Sequence, residues 1–295
     1  MFYHPQKKGN LNLSLYLPQI EEILDRSLDE DVCQGDITTD LLILPHEKAK
    51  ARIISKANGI VAGIEIVEMV FLRIDPFLKF SAVIKDGSSI KPHDILATAE
   101  GNAKSILKGE RTALNFLQHL SGIATKTSQY VEAVKGLPVK ILDTRKTVPG
   151  LRILEKYAVV AGGGHNHRLN LGAMVLIKDN HIAVLRKQGL DLIQIIEKAR
   201  DLSPRDTKIE IETTSIEDML QALESGADII MLDNMPLDAM RKAVSVIRHR
   251  AIVEASGGVT LDNVRAIAET GVDWISVGAL THSAIALDIS LEIES

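Results

Sequence analysis

A chain of 295 residues with 45% hydrophobic and 25% charged side chains has the composition of a globular protein and excludes a disordered one. Its formal charge of −5 offers no overall attraction to nucleic acid or to an anionic membrane, so an anionic ligand must be held by a local cluster of cations. The single cysteine, Cys33, excludes an intrachain disulfide and fits a reducing compartment.

In chain order, Met1 to Asn10 carries Lys7 and Lys8 but no following apolar run like a secretory signal. No stretch nears the ~20 apolar residues that cross a bilayer, so a soluble, cytoplasmic protein is expected. Leu17, Ile20, Ile23, Leu24 and Leu28 have helical spacing, and Asp36 to Thr39 supplies turn and N-cap residues before the apolar Leu41 to Leu44. Ala51–Ile54 and Ile60–Ala62 are predicted strands and Ile64–Phe71 a helix. Ser81–Ile84 and Ile95–Ala99 are further short strands around the turns at Asp86-Gly87 and Lys91-Pro92. No catalytic constellation stands out before residue 105. Leu114, Leu117, Leu120 and Ile123 mark a helix over Arg111–Ala124, with Arg111 near its start.

From about residue 139 the rhythm changes. Six short apolar runs each end abruptly in polar or glycine residues: Val139–Leu142, Ala173–Ile177, Ile209–Ile211, Asp228–Leu232, Ala251–Val253 and Trp274–Val277. Helical patterns lie between several of them, at Ala183–Arg200, Ile216–Ser225, Pro236–Arg248 and Leu261–Thr270. Alternating strands and helices predict a parallel α/β sheet. A (β/α) barrel is preferred to an open doubly wound sheet, because no dinucleotide-type glycine fingerprint follows a first strand and the polar tips are spread over many strands. Scarce aromatics, at 3%, leave a core of Ile, Leu, Val and Ala, which suits buried parallel strands.

In such a barrel the strand carboxyl ends meet on one face, where active sites lie. Thr144, Arg145, Lys146, Lys178, Glu212, Asp233, Ser256 and Gly278 would share one cavity there. Arg145, Lys146, Arg168 and Lys178 supply cations for carboxylate or phosphate, with His165, His167 and His181 as further donors. Glu212 and Asp233 would repel phosphate unless Mg²⁺ lay between; they also suit sugar hydroxyls, or pairing with lysines. Ser256-Gly257-Gly258 and Gly278 end the last two strands, where barrels often bind phosphate. The glycine-rich Ala161–Leu171 lacks the partners of a zinc site and reads as a flexible anion-recognition loop.

These motifs resemble quinolinate phosphoribosyltransferase, the carboxylating nicotinate-nucleotide pyrophosphorylase family. The resemblance runs from Gly35–Thr39 through Glu110–Asn115, Ser121–Thr125, Asp143–Thr147, Gly162–Gly164, Asn166–Arg168, Leu176–His181, Met231–Asn234 and Ser256–Gly258 to Val277–His282. It implies an incomplete barrel of parallel strands over 122–282 and an N-terminal α+β open sandwich over 1–121, joined by 283–295. It also implies a reaction: quinolinate and phosphoribosyl pyrophosphate give nicotinate mononucleotide, pyrophosphate and CO2, with Mg²⁺, in NAD biosynthesis. The expected assembly is a homodimer, or a higher oligomer built from it, in which Arg111 reaches across the interface. Arg145, Lys146, His167, Arg168 and Lys178 match the carboxylate and phosphate positions. Glu212 and Asp233 match the ribose and metal pair, ligating directly or through water. Thr144, Ser256, Gly257, Gly258, Gly278 and His282 complete the substrate contacts, and Lys146, Lys178, Glu212 and Asp233 are the expected catalytic residues. The sequence departs from the common pattern at His119 (usually Arg), Val148 (usually Thr) and Gly172 (often Asp). A paralogue with another acceptor, or a non-catalytic phosphate-binding barrel, is the alternative.

Overall fold

The computed structural model describes residues 13–294, so Lys7 and Lys8 lie outside it. In chain order its helices are α1 (Leu17–Val32), α2 (Ile37–Leu42), α3 (Ile64–Ile74), α4 (Ala103–Ala133), α5 (Arg152–Ala161), α6 (Asp179–Arg186), α7 (Leu192–Leu202), α8 (Ile216–Glu224), α9 (Leu237–Ile247), α10 (Val264–Ala268) and α11 (Ala279–His282). Its strands are β1 (Lys48–Ser55), β2 (Gly59–Ile60), β3 (Lys79–Ala82), β4 (Ser89–Ile90), β5 (Ile95–Asn102), β6 (Lys140–Leu142), β7 (Val175–Ile177), β8 (Ile209–Thr213), β9 (Ile229–Asp233), β10 (Ile252–Ser256), β11 (Trp274–Ser276) and β12 (Ile289–Ile293). They form two compact units, one of residues Gln129–Arg145 and His165–Gly278, the other of residues 13–128, Lys146–Gly164 and 279–294.

The second of these units is built on an antiparallel sheet of order β12-β1-β5-β3, so the last strand of the chain pairs with the first. Ala51, Ile53 and Ser55 alternate to the buried side of β1, as a half-buried strand requires. Helix α3 buries Ile64, Ile66, Val67, Val70 and Phe71, and Phe71 stacks on Phe80 of β3 with ring centroids 6.1 Å apart. Asp86 accepts the Gly63 and Ile64 amides at 2.7 and 3.1 Å, meeting orphan donors at the start of α3. Helix α2 begins as the sequence predicts, with the Asp36 carboxylate accepting the Thr39 amide at 3.0 Å.

The first unit is an α/β barrel left open. Its six strands are all parallel, in the order β6-β11-β10-β9-β8-β7, so β6 and β7 are the two edges. The chain from residue 165 onward lies along one edge: His165 bridges to Leu142 of β6, and residues 165–174 then lead into β7. The register pairs Leu176 with Glu210, Glu210 with Ile229, and Ile229 with Ile252. Glu212 pairs with Met231, Met231 with Glu254, and Asp233 with Ser256. Because side chains alternate along a strand, Glu210, Glu212, Asp233, Glu254, Ser256 and Ser276 all share one face. The opposite face carries Ile209, Ile211, Ile230, Leu232, Val253, Ala255 and Ile275, all buried.

All six predicted barrel strands are present, within three residues at either end. The helices differ more. The single helix expected over Ala183–Arg200 is two, because Gly189 takes φ +85° and Asp191 starts α7 afresh by capping Gln194 N at 2.8 Å. The pattern at Arg111–Ala124 is the middle of the 31-residue α4, and α5 went unforeseen. The strand expected over Ile60–Ala62 is only β2, and the helix over Leu261–Thr270 shortens to α10. No helix among the described residues is long and apolar enough to cross a membrane.

Candidate active site

Two side-chain clusters occupy the polar face of the barrel sheet. The first stands at the carboxyl ends of β7, β8 and β9. Lys178 follows β7 directly, and its Nζ lies 3.5 Å from Glu212 Oε2. Burial raises the Glu212 pKa; Lys178 pulls it down, and Asp233 and Asp179 push it up again. Asp233 accepts the Asn234 side-chain amide at 2.9 Å, and the Asn234 backbone amide reaches Ser256 O, also at 2.9 Å. Gly257 holds φ +89°, and a Cβ there would sit 2.4 Å from Asn234, so this glycine is required by both backbone and packing.

The second cluster is assembled by residues 143–145 and 165–174. Asp143, fully buried after β6, accepts the His167 amide at 2.8 Å and the Asn166 side chain at 2.6 Å. That carboxylate fixes the course of the chain into Arg168, whose Nη1 donates to Met174 O at 3.2 Å. Arg145 and Arg168 are close enough that Arg145, together with burial, lowers the Arg168 pKa, while Glu210 opposes the shift. Both Nε atoms are buried with no hydrogen-bond partner among the described residues. Two neighbouring guanidiniums with unmet buried donors are a costly arrangement unless an anion joins them.

Behind them, His167 Nε2 lies 3.1 Å from Glu210 Oε2 and 3.4 Å from Glu254 Oε2. Both carboxylates are fully buried, and Glu254 also accepts the Ser276 hydroxyl. Burial favours a neutral imidazole, whereas the two acids would push its pKa up to about 10. An imidazolium, however, carries hydrogen on Nδ1, and Nδ1 here accepts the Arg168 amide at 2.8 Å. The hydrogen bond decides: the ring is neutral with its proton on Nε2, and burial raises Glu210 toward its protonated form. His167, Glu210 and Glu254 bring ligand atoms within 4.8 Å of one another. A metal on Nε2 would leave hydrogen on Nδ1, which the Arg168 amide already occupies, so this group does not fit a cation.

Glu212 and Asp233 do fit one. Mg²⁺ takes one or two carboxylates and completes its shell with water and substrate oxygens, and these acids share a face on adjacent strands.

The remaining predicted residues divide as follows. Thr144 is half-buried beside Arg145, and Gly278 lies two residues past the end of β11. Arg111, Lys146 and His282 belong to the other unit, and all three are exposed. His181 caps α6, its Nδ1 accepting the Lys178 amide at 3.0 Å. In the segment read as an anion loop, Gly162 and Gly164 are accounted for by packing: a Cβ on Gly162 would meet Ala124 O at 2.3 Å, and one on Gly164 would meet Thr127 at 2.7 Å. Sequence reasoning missed Glu210 and Glu254. The alternation Ile209-Glu210-Ile211-Glu212 carried the signal, since period two puts both acids on one face.

Family models for the quinolinate phosphoribosyltransferase N-terminal and C-terminal domains match residues 36–121 and 123–292. The chain belongs to the quinolinate phosphoribosyltransferase family. A probable carboxylating nicotinate-nucleotide pyrophosphorylase of Synechocystis is 42% identical over 93% of this chain and 92% of its own. One of Bacillus subtilis is 40% identical over 93% of each. The crystal structure of nicotinate-nucleotide pyrophosphorylase from Ehrlichia chaffeensis superposes with TM-score 0.87 at 42% identity, covering 93% of this chain and 98% of that one. The NadC structure from Streptococcus pyogenes gives 0.89 at 39% identity, covering 94% and 98%. The two superposed structures thus share the α/β fold described above.

Proposed function

We propose that this chain transfers the phosphoribosyl group of phosphoribosyl pyrophosphate to quinolinate and releases CO2, giving nicotinate mononucleotide for NAD biosynthesis. The observation that carries this reading is the pair Arg145 and Arg168, whose buried Nε donors meet no acceptor among the described residues. A planar ring with two adjacent carboxylates supplies acceptors of matching charge and fork geometry.

The ring nitrogen's lone pair forms the bond to ribose C1, and the C1–O bond breaks with its electron pair leaving on pyrophosphate. Lys178 and Lys146 offset the charge growing on the departing oxygens, while Glu212 and Asp233 face the positive charge developing on the ribose. Held between those acids, Mg²⁺ would add Lewis-acid stabilisation of phosphate oxygens. Loss of the carboxylate next to the nitrogen leaves an electron pair that the cationic ring stabilises and a proton quenches. Positioning of ring against ribose contributes up to ~7–11 kcal/mol of barrier reduction. Ser256, Gly257, Gly258, Gly278, Thr144 and His282 complete the phosphate and sugar contacts, and His167 backs the carboxylate site.

Arg111 acts across a homodimer, a reading supported by its exposure on α4. We take residues 1–121 with 283–295, and 122–282, as the functional domains. We also propose a cytoplasmic location: a single cysteine, which allows no intrachain disulfide, fits a reducing compartment, and cell fractionation tests the reading. The deciding experiment measures CO2 from carboxyl-labelled quinolinate with phosphoribosyl pyrophosphate and Mg²⁺ supplied or withheld. Equal use of nicotinate as acceptor would count against the assignment.

A further inference from the structure

The segment after Arg145 has no regular secondary structure through residue 149, so its course depends on side-chain anchors. Three are visible. Lys146 O accepts the Thr281 hydroxyl at 2.7 Å, and Thr147 Oγ1 accepts from Arg152 Nε at 3.1 Å. The Val148 amide donates to Glu155 Oε2 at 3.3 Å. Glu155, on α5, is fully buried, and its other oxygen, Oε1, lies 2.9 Å from His119 Nε2 on α4. The carboxylate is thus divided: one oxygen holds the segment, the other is held by the imidazole. His119 and Val148, two positions where this chain departs from the common family pattern, meet at the same side chain.

We propose that His119 is a positioning residue that acts through Glu155 to hold the Lys146–Val148 segment in its working course. A buried carboxylate turns toward whatever donors it can reach. With the imidazole removed, Glu155 loses the donor that orients it, and the Val148 anchor loosens with it. His119 touches no reacting atom in this scheme; it sets where the backbone that carries Lys146 runs. The inference rests on the reading of Lys146 as a residue of the transfer reaction, but the anchor itself can be tested without activity.

The variants are His119→Ala, His119→Gln and His119→Arg, the last two retaining an N–H donor. Hydrogen exchange at the Val148 amide should speed at least about tenfold in His119→Ala and remain near wild type in His119→Arg. Turnover in His119→Ala should fall about ten- to a hundredfold, the scale of a misplaced catalytic group, with KM for quinolinate within about twofold. His119→Gln and His119→Arg should recover most of it. In a Lys146→Ala background, His119→Ala should add less than about twofold, because the residue through which it acts is gone. Unchanged Val148 exchange, or an equal loss with Lys146 absent, would overturn the proposal. Should the wild-type chain release no CO2 from quinolinate, the transfer reading fails while the exchange measurement still decides the anchor. Should His119→Ala fail to fold, His119→Gln carries the test: loss of Val148 protection despite a retained donor would refute it.

Discussion

Replacing Arg145 with methionine separates binding from folding. The Arg145 side chain makes no hydrogen bond or salt bridge to protein among the described residues; its buried Nε is unmet, and its neighbour Arg168 carries the same charge. Methionine keeps much of the stem and removes the cation. Losing one partner of a buried, hydrogen-bonded charge pair costs ~2–5 kcal/mol of binding. At 1.4 kcal/mol per decade, quinolinate affinity should fall roughly thirty- to several-thousand-fold. Stability should move the other way. Relief of like-charge repulsion at a partly buried site is worth on the order of 1 kcal/mol, which raises Tm by up to roughly 2–4 °C. Isothermal titration with quinolinate and thermal unfolding of the ligand-free protein measure both effects. A variant that binds quinolinate normally but melts several degrees lower would refute the reasoning, since Arg145 would then be a structural cation.

Mixing inactive Arg111→Ala with inactive Lys178→Ala should restore part of the activity if the site is shared between subunits; no recovery after verified subunit exchange counts against the dimeric site. Gly257→Ala, forced to φ +89° against Asn234, should lose ~1–3 kcal/mol in urea unfolding, and a neutral result would remove the packing argument. Asp228 is buried in part, but Lys208, the Ile209 amide and Arg200 outweigh that and hold its pKa below the ordinary value. Its stabilisation is therefore present above pH ~3.9 and is lost as pH falls through the lowered folded value. Asp228→Asn should cost ~1–3 kcal/mol at pH 7 and progressively less below pH 4, and a pH-independent difference would contradict this. Nitrogen NMR of the imidazole should show His167 protonated on Nε2 alone at pH 7; a signal from a doubly protonated ring would reverse the tautomer assignment and its bearing on metal binding.

Much of this was legible before any coordinates. The six barrel strands stood out because a buried parallel strand is a short apolar run that must stop where polar residues begin, as at Leu142-Asp143 or Ile177-Lys178. The cations and acids at those ends were legible for the same reason: in parallel strands, chain direction alone sends every tip to one side. What the chain could not reveal locally is register and long-range contact. Glu210 looked like one more charge in a strand until pairing with Leu176 and Ile229 put it on the face of Glu212 and Glu254. Gly162 and Gly164 resembled a mobile loop, yet a helix some forty residues earlier occupies the space their side chains would need. His119 and Glu155 are 36 positions apart, and nothing local to either announces the other. Periodicity and strand direction belong to the sequence, because they follow from the backbone of each segment. Which buried charge meets which donor belongs to the tertiary structure, because it depends on distances between segments that only the packed chain defines.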